Sequence, residues 1–221
     1  LDDERVQEAV RAWEPSIALF ADDNGLAHVS ALAAGSAEWL RSGGWLVVEI
    51  GSGQAAAVVD VLQAAGLATL PGTAAEILDP EVRALICPDK VTVEEWLTVM
   101  RAAHGLGLRS TATIMFGHVD RYDHWAGHLM AVRDLQAETG GFTEFVPLPF
   151  VHMEAPLWRK GLARSGPTHR ESILMHAVAR LALHGQISNI QASWVKLGAD
   201  GADQALQAGA NDLGGVLMDE S

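Results

Sequence analysis

Residues that could contact a ligand lie mostly where predicted strands end. His118 follows a strand predicted over 109–116, and Pro149 follows one predicted over 142–148. Strands predicted near 187–191 and 212–217 are accompanied by a group of polar, aromatic and glycine residues: Gln191, Ser193, Trp194, Asn211, Asp212, Gly214 and Gly215. Parallel α/β folds place their sites at the carboxyl ends of strands, and glycine lets a backbone approach a ligand closely. The spacing therefore predicts one ligand site assembled from several strand ends.

Three further side chains allow two interpretations each. Thr113 and Met115 alternate along one strand and so share a face, which is either ordinary packing or the wall of a cofactor site. His152 stands two residues before Glu154 on an extended segment. Because two ligands do not make a metal site, we interpret His152 as part of a substrate loop or as a solvated surface residue.

Cysteine chemistry is limited by a single residue, Cys87. An intrachain disulfide is impossible, which favours a reducing, cytoplasmic location. Cysteine-based zinc sites and iron–sulfur clusters both need several thiolates, so this chain builds neither from its own cysteines. We expect Cys87 to be a small buried apolar residue.

Charge and composition exclude several classes of protein. The 221 residues include 15 Lys and Arg against 28 Asp and Glu, and this net charge of −13 argues against nucleic-acid or anionic-membrane partners. Hydrophobic residues make up 49% of the chain, which indicates a folded protein of one ordinary or two small domains. No apolar run reaches the ~18 residues of a membrane span. The chain begins at Leu1 rather than Met, which suggests a fragment.

Helices and short strands alternate along the chain. Capping signals mark three helix starts, namely Thr92 with Glu95, Thr168 with Glu171, and Asp79 before Pro80. The predicted helices cover 27–41, 54–65, 80–86, 93–105, 121–139, 169–185 and 201–208, and the predicted strands cover 45–50, 109–116, 142–148, 187–191 and 212–217. This alternation predicts an α/β fold with a parallel sheet and covering helices. Spacing does not separate an open sheet from a barrel.

The N-terminal part carries a short glycine motif, EIGSGQ, after the predicted strand 45–50. The motif is typical of an S-adenosylmethionine-binding turn, but its third glycine is missing. The runs WEPSIALFADDNGL, WLRSGGWLVVEIGSGQ and VVDVLQAAGL resemble the C-terminal end of release-factor glutamine methyltransferases. The resemblance implies that residues 1–69 are a methyltransferase-like fragment without that family's cofactor loop and Asn-Pro-Pro-Tyr motif. Its strand 45–50 would pair with an open barrel edge.

From Leu70 onward the chain resembles a different family, over about 150 residues. The matching runs are LPGTAAEILDPEVRALICPDK, TATIMFGHVD, TGGFTEFVPLPFVHMEAP, GPTHRESILMHAVARLALH, NIQASWVKLG and AGANDLGGVLMDES. They are similar to the second subunit of FO synthase, a radical S-adenosylmethionine enzyme of coenzyme F-420 biosynthesis. That family joins a tyrosine-derived 4-hydroxybenzyl group to 5-amino-6-ribitylaminouracil. Related menaquinone-pathway radical enzymes share parts of the runs. The resemblance implies that residues 70–221 form the later half of a TIM-like barrel.

The same resemblance implies roles for particular residues. Glu76 would hold the ribose or amino group of S-adenosylmethionine; otherwise it is a solvated carboxylate at a helix start. His118 would lie beside the substrate amino acid; otherwise it is a capping or surface imidazole. The remaining cofactor-binding candidates are Thr113, Met115 and Gln191, and the remaining substrate-binding candidates are Pro149, His152, Ser193, Trp194, Asn211, Asp212, Gly214 and Gly215.

The chain departs from the FO synthase pattern at its most reactive part. The family binds a 4Fe–4S cluster through a Cys-x-x-x-Cys-x-x-Cys loop, which this sequence lacks. We therefore expect the chain alone not to cleave S-adenosylmethionine. A methyltransferase fragment and a non-catalytic remnant stay open as alternatives. The methyltransferase-like and FO synthase-like parts join between Ala64 and Glu76. A recombined gene, a broken gene or a faulty sequence assembly would each produce such a junction.

Overall fold

The chain divides into two compact units, Leu1–Ala68 and Thr69–Ser221. The computed structural model describes residues 22–23, 25–39, 48, 50, 53–66, 69–72 and 74–215. Each unit has its own hydrophobic cluster, so each is described by itself. Within the described residues, no helix is both long enough and apolar enough to cross a membrane.

The first unit contains two described helices, α1 (Ala27–Trp39) and α2 (Ala55–Ala64). They confirm the helices predicted over 27–41 and 54–65. Their contact is a small apolar cluster formed by Val29, Ala33, Val58 and Leu62. Most of the predicted strand 45–50 and half of the EIGSGQ motif lie outside the described residues. The methyltransferase-like identity of residues 1–69 stays a prediction.

The second unit is a parallel α/β sheet with helices between its strands. Its elements are β1 (Thr69–Leu70), α3 (Pro80–Ile86), α4 (Val93–Gly105), β2 (Arg109–Phe116), α5 (Tyr122–Thr139), β3 (Phe142–Pro149), α6 (Pro156–Arg159), α7 (His169–Ala182), β4 (Asn189–Ile190) and α8 (Trp194–Gln207). The sheet order is β1-β2-β3-β4 and every neighbouring pair is parallel. The α/β prediction is confirmed, and this topology is consistent with the C-terminal half of a TIM-like radical enzyme.

The predicted helix starts are confirmed by their caps. The Asp79 carboxylate accepts a hydrogen bond from the Val82 backbone N–H (2.9 Å) at the start of α3. Thr92 and Thr168 each form both bonds of a capping box, with Glu95 and Glu171 respectively. These bonds satisfy backbone donors that have no partner inside the helix.

The two faces of the sheet differ in their surroundings. On β2, Ala112, Ile114 and Phe116 are fully buried against the helices. The alternate residues of β2 and β3 share the other face, here called the inner face, and pair in register as Thr111 with Glu144, Thr113 with Val146, and Met115 with Leu148. The inner face is where the sequence predicted a cofactor wall, and Thr113 and Met115 lie on it half-buried.

The C-terminal elements differ from their predictions. The helix predicted over 201–208 begins earlier, at Trp194, and is interrupted at Gly198 (φ 70°, ψ 173°). The predicted helix is confirmed as the part of α8 that follows this kink, whereas the short helical part before Gly198 was not predicted. Of the strand predicted over 212–217, Asp212 forms a bridge with Gln191, residues 213–215 are not in a strand, and residues 216–217 lie outside the described part.

Candidate functional site

Glu76 lies on the loop after β1, beside the inner face. Its backbone carbonyl accepts a hydrogen bond from the Met115 N–H (2.9 Å), which brings these two cofactor candidates together. Its carboxylate pairs with the Lys90 ammonium at 2.6 Å, and its side chain is 17% exposed. The alternative of a helix-start carboxylate is wrong, because α3 begins at Pro80 and is capped by Asp79. A carboxylate beside the strand ends suits a ribose hydroxyl or an ammonium group.

The Thr113 hydroxyl ties the segment after β1 to the inner face. It donates to the Gly72 carbonyl (2.9 Å), while the Thr111 hydroxyl accepts from the Gly72 N–H (2.8 Å). A Cβ on Gly72 would lie 1.6 Å from the Thr111 carbonyl oxygen, so only glycine allows this approach. Thr113 therefore holds the loop rather than presenting a free hydroxyl to a ligand.

His118 is buried and both of its ring nitrogens bond to backbone. Nδ1 accepts from the Val119 N–H (2.7 Å), and Nε2 donates to the Met115 carbonyl (3.0 Å). The ring meets Phe150 edge-on, with centroids 5.7 Å apart. Burial lowers the pKa of His118 and outweighs the opposing attraction of Asp120, so the imidazole is neutral. The surface alternative is wrong, since His118 is 2% exposed; its place beside the substrate stays a prediction.

Asp120 fixes the turn that carries His118. Its carboxylate accepts from the backbone N–H of Gly117 (2.9 Å) and of His118 (2.6 Å), and from the indole N–H of Trp125. Burial alone would raise the pKa of Asp120, but these hydrogen bonds together lower it. Asp120 is therefore an ionised, fully bonded support for the loop.

A second polar group lies on the inner face near β4. The Gln191 amide donates to the Glu144 carboxylate (3.2 Å), and the Asp212 carboxylate accepts from the Gly214 N–H (2.6 Å). A Cβ on Gly214 would lie 2.7 Å from the Gln191 side-chain oxygen. The pKa of Glu144 is raised, chiefly by burial and secondly by the negative charge of Asp212. The hydrogen bond from Gln191 lowers this pKa but does not outweigh the other two effects. Gln191, Asp212 and Gly214 are thus brought together as predicted neighbours.

Sequence reasoning missed Glu144. A signal was present, because alternation along FTEFVPLP places this one acidic side chain on the same face as Val146 and Leu148. A charged residue on the inward side of a buried strand marks a site that needs a partner or a ligand.

A cavity of about 260 Å³ opens at the carboxyl end of β3. It is lined by Pro149, Phe150, Val151, Ser165, Gly166, Pro167, His169, Ser172, Lys196 and Leu197. Pro149 is the predicted substrate residue among them, and its carbonyl accepts from the Lys196 ammonium (3.4 Å). The cavity combines apolar walls with an imidazole and a cation, which suits a ligand that is partly apolar and partly polar.

Several predicted substrate-binding residues do not line this cavity, and some of their side chains hydrogen-bond to the backbone instead. His152 donates to the Ser165 carbonyl (2.6 Å) and packs on Trp158, while Glu154 pairs with Arg159. The Asn211 side-chain oxygen accepts from the Ile190 N–H (2.8 Å), so this residue supports the short β4 strand. Ser193 and Trp194 begin α8, and Gly215 is exposed at the end of the described chain.

Comparisons with known proteins single out the C-terminal part of the chain. Residues 139–221 match the family model of the CofH/MqnC C-terminal region. The FO synthase of Mycobacterium leprae is 56% identical over 160 residues, and that of Nocardia farcinica is 58% identical over 160 residues. Each alignment covers 72% of this chain and 18% of the relative. The C-terminal region is therefore homologous to a C-terminal part of FO synthase.

A shorter relative covers the same range. The 5-amino-6-(D-ribitylamino)uracil–L-tyrosine 4-hydroxyphenyl transferase of Methanocaldococcus jannaschii is 50% identical over 161 residues, which are 73% of this chain and 45% of that protein. The chain therefore spans less than half of these relatives. The predicted resemblance to FO synthase is confirmed at the level of the family.

The residues of the FO synthase-like region do not fit an iron–sulfur cluster. Cys87 is the one cysteine in the sequence, and its thiol is buried. Burial raises the pKa of Cys87, which disfavours the thiolate that iron needs. Within the described residues, no group of three or more His, Cys, Asp or Glu side chains could hold a metal ion. The carboxylate of Glu76 has the chemistry to accept hydrogen bonds from a ribose hydroxyl or an ammonium group.

Proposed function

We propose that residues 70–221 are the substrate-holding second half of an FO synthase-type transferase. The observation that carries this proposal is 50–58% identity over about 160 residues to relatives named FO synthase or ribitylaminouracil–tyrosine transferase. The substrates proposed from those names are L-tyrosine and 5-amino-6-ribitylaminouracil. The cofactor proposed from the family is S-adenosylmethionine.

The chain's own residues would bind and orient these molecules. Glu76 would accept hydrogen bonds from the ribose or amino group of S-adenosylmethionine, with Met115 beside it. The amide of Gln191 and the carboxylates of Glu144 and Asp212 offer donors and acceptors to a polyhydroxyl or amide-rich ligand. The cavity at Pro149 would hold an aromatic or ring-shaped group. Reductive cleavage of the cofactor would belong to a cluster whose cysteine ligands are not in this sequence.

Direct binding tests the proposal. Purified chain is titrated calorimetrically with S-adenosylmethionine, with ribitylaminouracil and with L-tyrosine. We expect saturable binding of the first two, and Glu76→Gln should weaken S-adenosylmethionine binding by about tenfold because one charged acceptor is lost. Glu138→Gln is the matched control, since Glu138 also forms an ion pair, at 2.6 Å with Arg101, on a distant exposed helix face.

Three outcomes contradict the proposal. The first is no saturable binding of any of the three ligands by chain that retains its native circular dichroism. The second is equal weakening by Glu76→Gln and Glu138→Gln. The third is S-adenosylmethionine binding that disappears with Gly51→Ala and not with Glu76→Gln, which would instead favour the methyltransferase alternative.

A further inference from the structure

The loop that carries Glu76 has an unusual backbone. Ala74 (φ 63°) and Glu76 (φ 46°) are both in the left-handed region, although neither is glycine. Such residues are uncommon and persist only where the surroundings fix them, often at sites that bind ligands. Ala75 and Ile77, on either side of Glu76, are fully buried in the core of the unit. The backbone thus directs two apolar side chains inward and leaves the carboxylate between them at the surface of the site.

Arg83 holds the first part of this loop. Its side chain comes from α3, is 4% exposed, and donates to the carbonyls of Ala74 (3.1 Å) and Ala75 (2.6 Å) through Nη1. Nε of the same guanidinium donates to the Val91 carbonyl (3.1 Å), and Nη2 also bonds that oxygen. A buried cation costs free energy, and the planar guanidinium fixes the direction of every bond it makes. Arg83 therefore determines where the Ala74 and Ala75 peptides lie.

His128 holds the last part of the loop. Its ring comes from α5, is completely buried, and its Nδ1 accepts from the Leu78 N–H (3.1 Å). Burial lowers the pKa of His128 to about 3, so the ring is neutral and Nδ1 is available as an acceptor. The Met115 N–H bond to the Glu76 carbonyl (2.9 Å) completes the support in the middle.

We propose that Arg83 and His128 are positioning residues that hold the Glu76 carboxylate in its ligand-binding conformation. They act on the backbone on either side of Glu76 and do not contact the ligand. The inference rests on the proposed role of Glu76 toward the ribose or amino group of S-adenosylmethionine. Neither residue stands out in the sequence, because its role depends on a contact made in the fold. Arg83 bonds Ala75, 8 residues away, and His128 bonds Leu78, 50 residues away.

The test compares Arg83→Met and His128→Leu with Gln136→Leu. Gln136 is a fair control because it is also buried and bonds backbone three times, at Phe142 (3.1 and 2.7 Å) and Gln186 (3.1 Å), away from Glu76. Calorimetry gives the dissociation constant for S-adenosylmethionine, and amide hydrogen exchange gives the opening of the Leu78 and Met115 N–H groups. All proteins are measured below their unfolding transitions.

We expect Arg83→Met and His128→Leu each to weaken binding by about tenfold and to speed exchange at both amides. Gln136→Leu should lower the unfolding temperature but change the dissociation constant by less than about twofold. Glu76→Gln combined with Arg83→Met should bind no more weakly than Glu76→Gln alone, because Arg83 acts through Glu76. His128→Asn, whose side-chain oxygen can still accept from Leu78, should restore binding.

Additive losses in the double variant would overturn the proposal, as would unchanged binding by a folded Arg83→Met protein. Should that variant not fold, Arg83→Lys replaces it, because an ammonium keeps the charge but cannot span Ala75 and Val91. If the unaltered chain binds no S-adenosylmethionine, the proposed cofactor role fails by itself. Amide hydrogen exchange in the Arg83→Met and His128→Leu variants then tests the positioning role. Faster exchange confined to the Leu78 and Met115 N–H groups supports that role, and unchanged exchange rejects it.

Discussion

The loops after β1 and β2 both follow parallel strands, yet they use their polar residue in opposite ways. In the first, buried side chains bind the backbone and leave the Glu76 carboxylate accessible, paired only to Lys90 among the bonds described. In the second, the polar side chain itself binds backbone, since both ring nitrogens of His118 are bonded within the turn. A strand end therefore predicts where a polar residue lies, but not whether it is presented to a ligand.

The difference has an energetic basis. A carboxylate is costly to bury, so a loop that carries Glu76 needs other groups to fix it. A neutral imidazole carries one donor and one acceptor, and it can be satisfied completely by nearby peptide groups. The β2 loop is thus a self-contained support, with Asp120 as its charged centre.

The largest effect that separates the two loops is expected at Asp120. Asp120→Asn replaces one of the two accepting oxygens with an N–H₂ group. That group faces the N–H donors of Gly117 and His118 in one amide orientation, and those of Gly117 and Trp125 in the other. We expect a loss of about 2–3 kcal/mol in the free energy of unfolding. Urea denaturation at pH 7 measures it, with Asp123→Asn as the control because Asp123 is exposed and pairs only with Arg121 among the described contacts.

The difference in the free energy of unfolding between the unaltered protein and Asp120→Asn should depend on pH. The folded-state pKa of Asp120 lies below its ordinary value of 3.8. Its stabilisation is therefore complete well above pH 3.8 and is lost as the pH falls through the folded-state value. The gap between the unaltered protein and Asp120→Asn should narrow in acid. A gap that stays constant from pH 7 to pH 3 would contradict the ionised support described here.

A smaller effect is expected in the β1 loop. Gly72→Ala puts a methyl group 1.6 Å from the Thr111 carbonyl oxygen, so the loop must move away from β2. We expect a loss of about 1–3 kcal/mol. Binding of S-adenosylmethionine should weaken as well, while a spectroscopic probe of Trp125 beside the His118 turn should not change.

Gly105→Ala is the matched control for that substitution. Gly105 ends α4 and an added methyl group meets nothing within 4 Å. Alanine there should leave stability unchanged or raise it by a few tenths of a kcal/mol. Equal destabilisation by the two variants would show that the close contact between Gly72 and β2 is not what fixes the loop.

The sequence predicts the parts of this unit that depend on local signals. Asp79, Thr92 and Thr168 mark helix starts through residues three positions away. The run RSTATIMF, which follows the glycines that end the preceding helix, predicts both bounds of β2. The supports of the site depend on distant contacts instead. His128 meets a backbone N–H 50 residues away, and Gln191 meets Glu144 at a separation of 47. Alternation along β3 places Glu144 on the inner face, but no local pattern identifies Gln191 as its partner or Leu78 as the partner of His128.

The smallest effect is expected at Glu144 on the inner face, whose pKa shift is opposite in direction to that of Asp120. The folded-state pKa of Glu144 is raised, chiefly by burial and then by Asp212, so its ionised form is disfavoured by folding. Its contribution is most favourable below the ordinary value of 4.5 and is lost as the pH rises through the folded-state value. Glu144→Gln should therefore slightly raise the free energy of unfolding at pH 8 and have no such benefit at pH 4. Thermal unfolding at the two pH values measures this, and a variant destabilised at pH 8 would mean that the charge is held by a favourable partner, as the charge of Asp120 is.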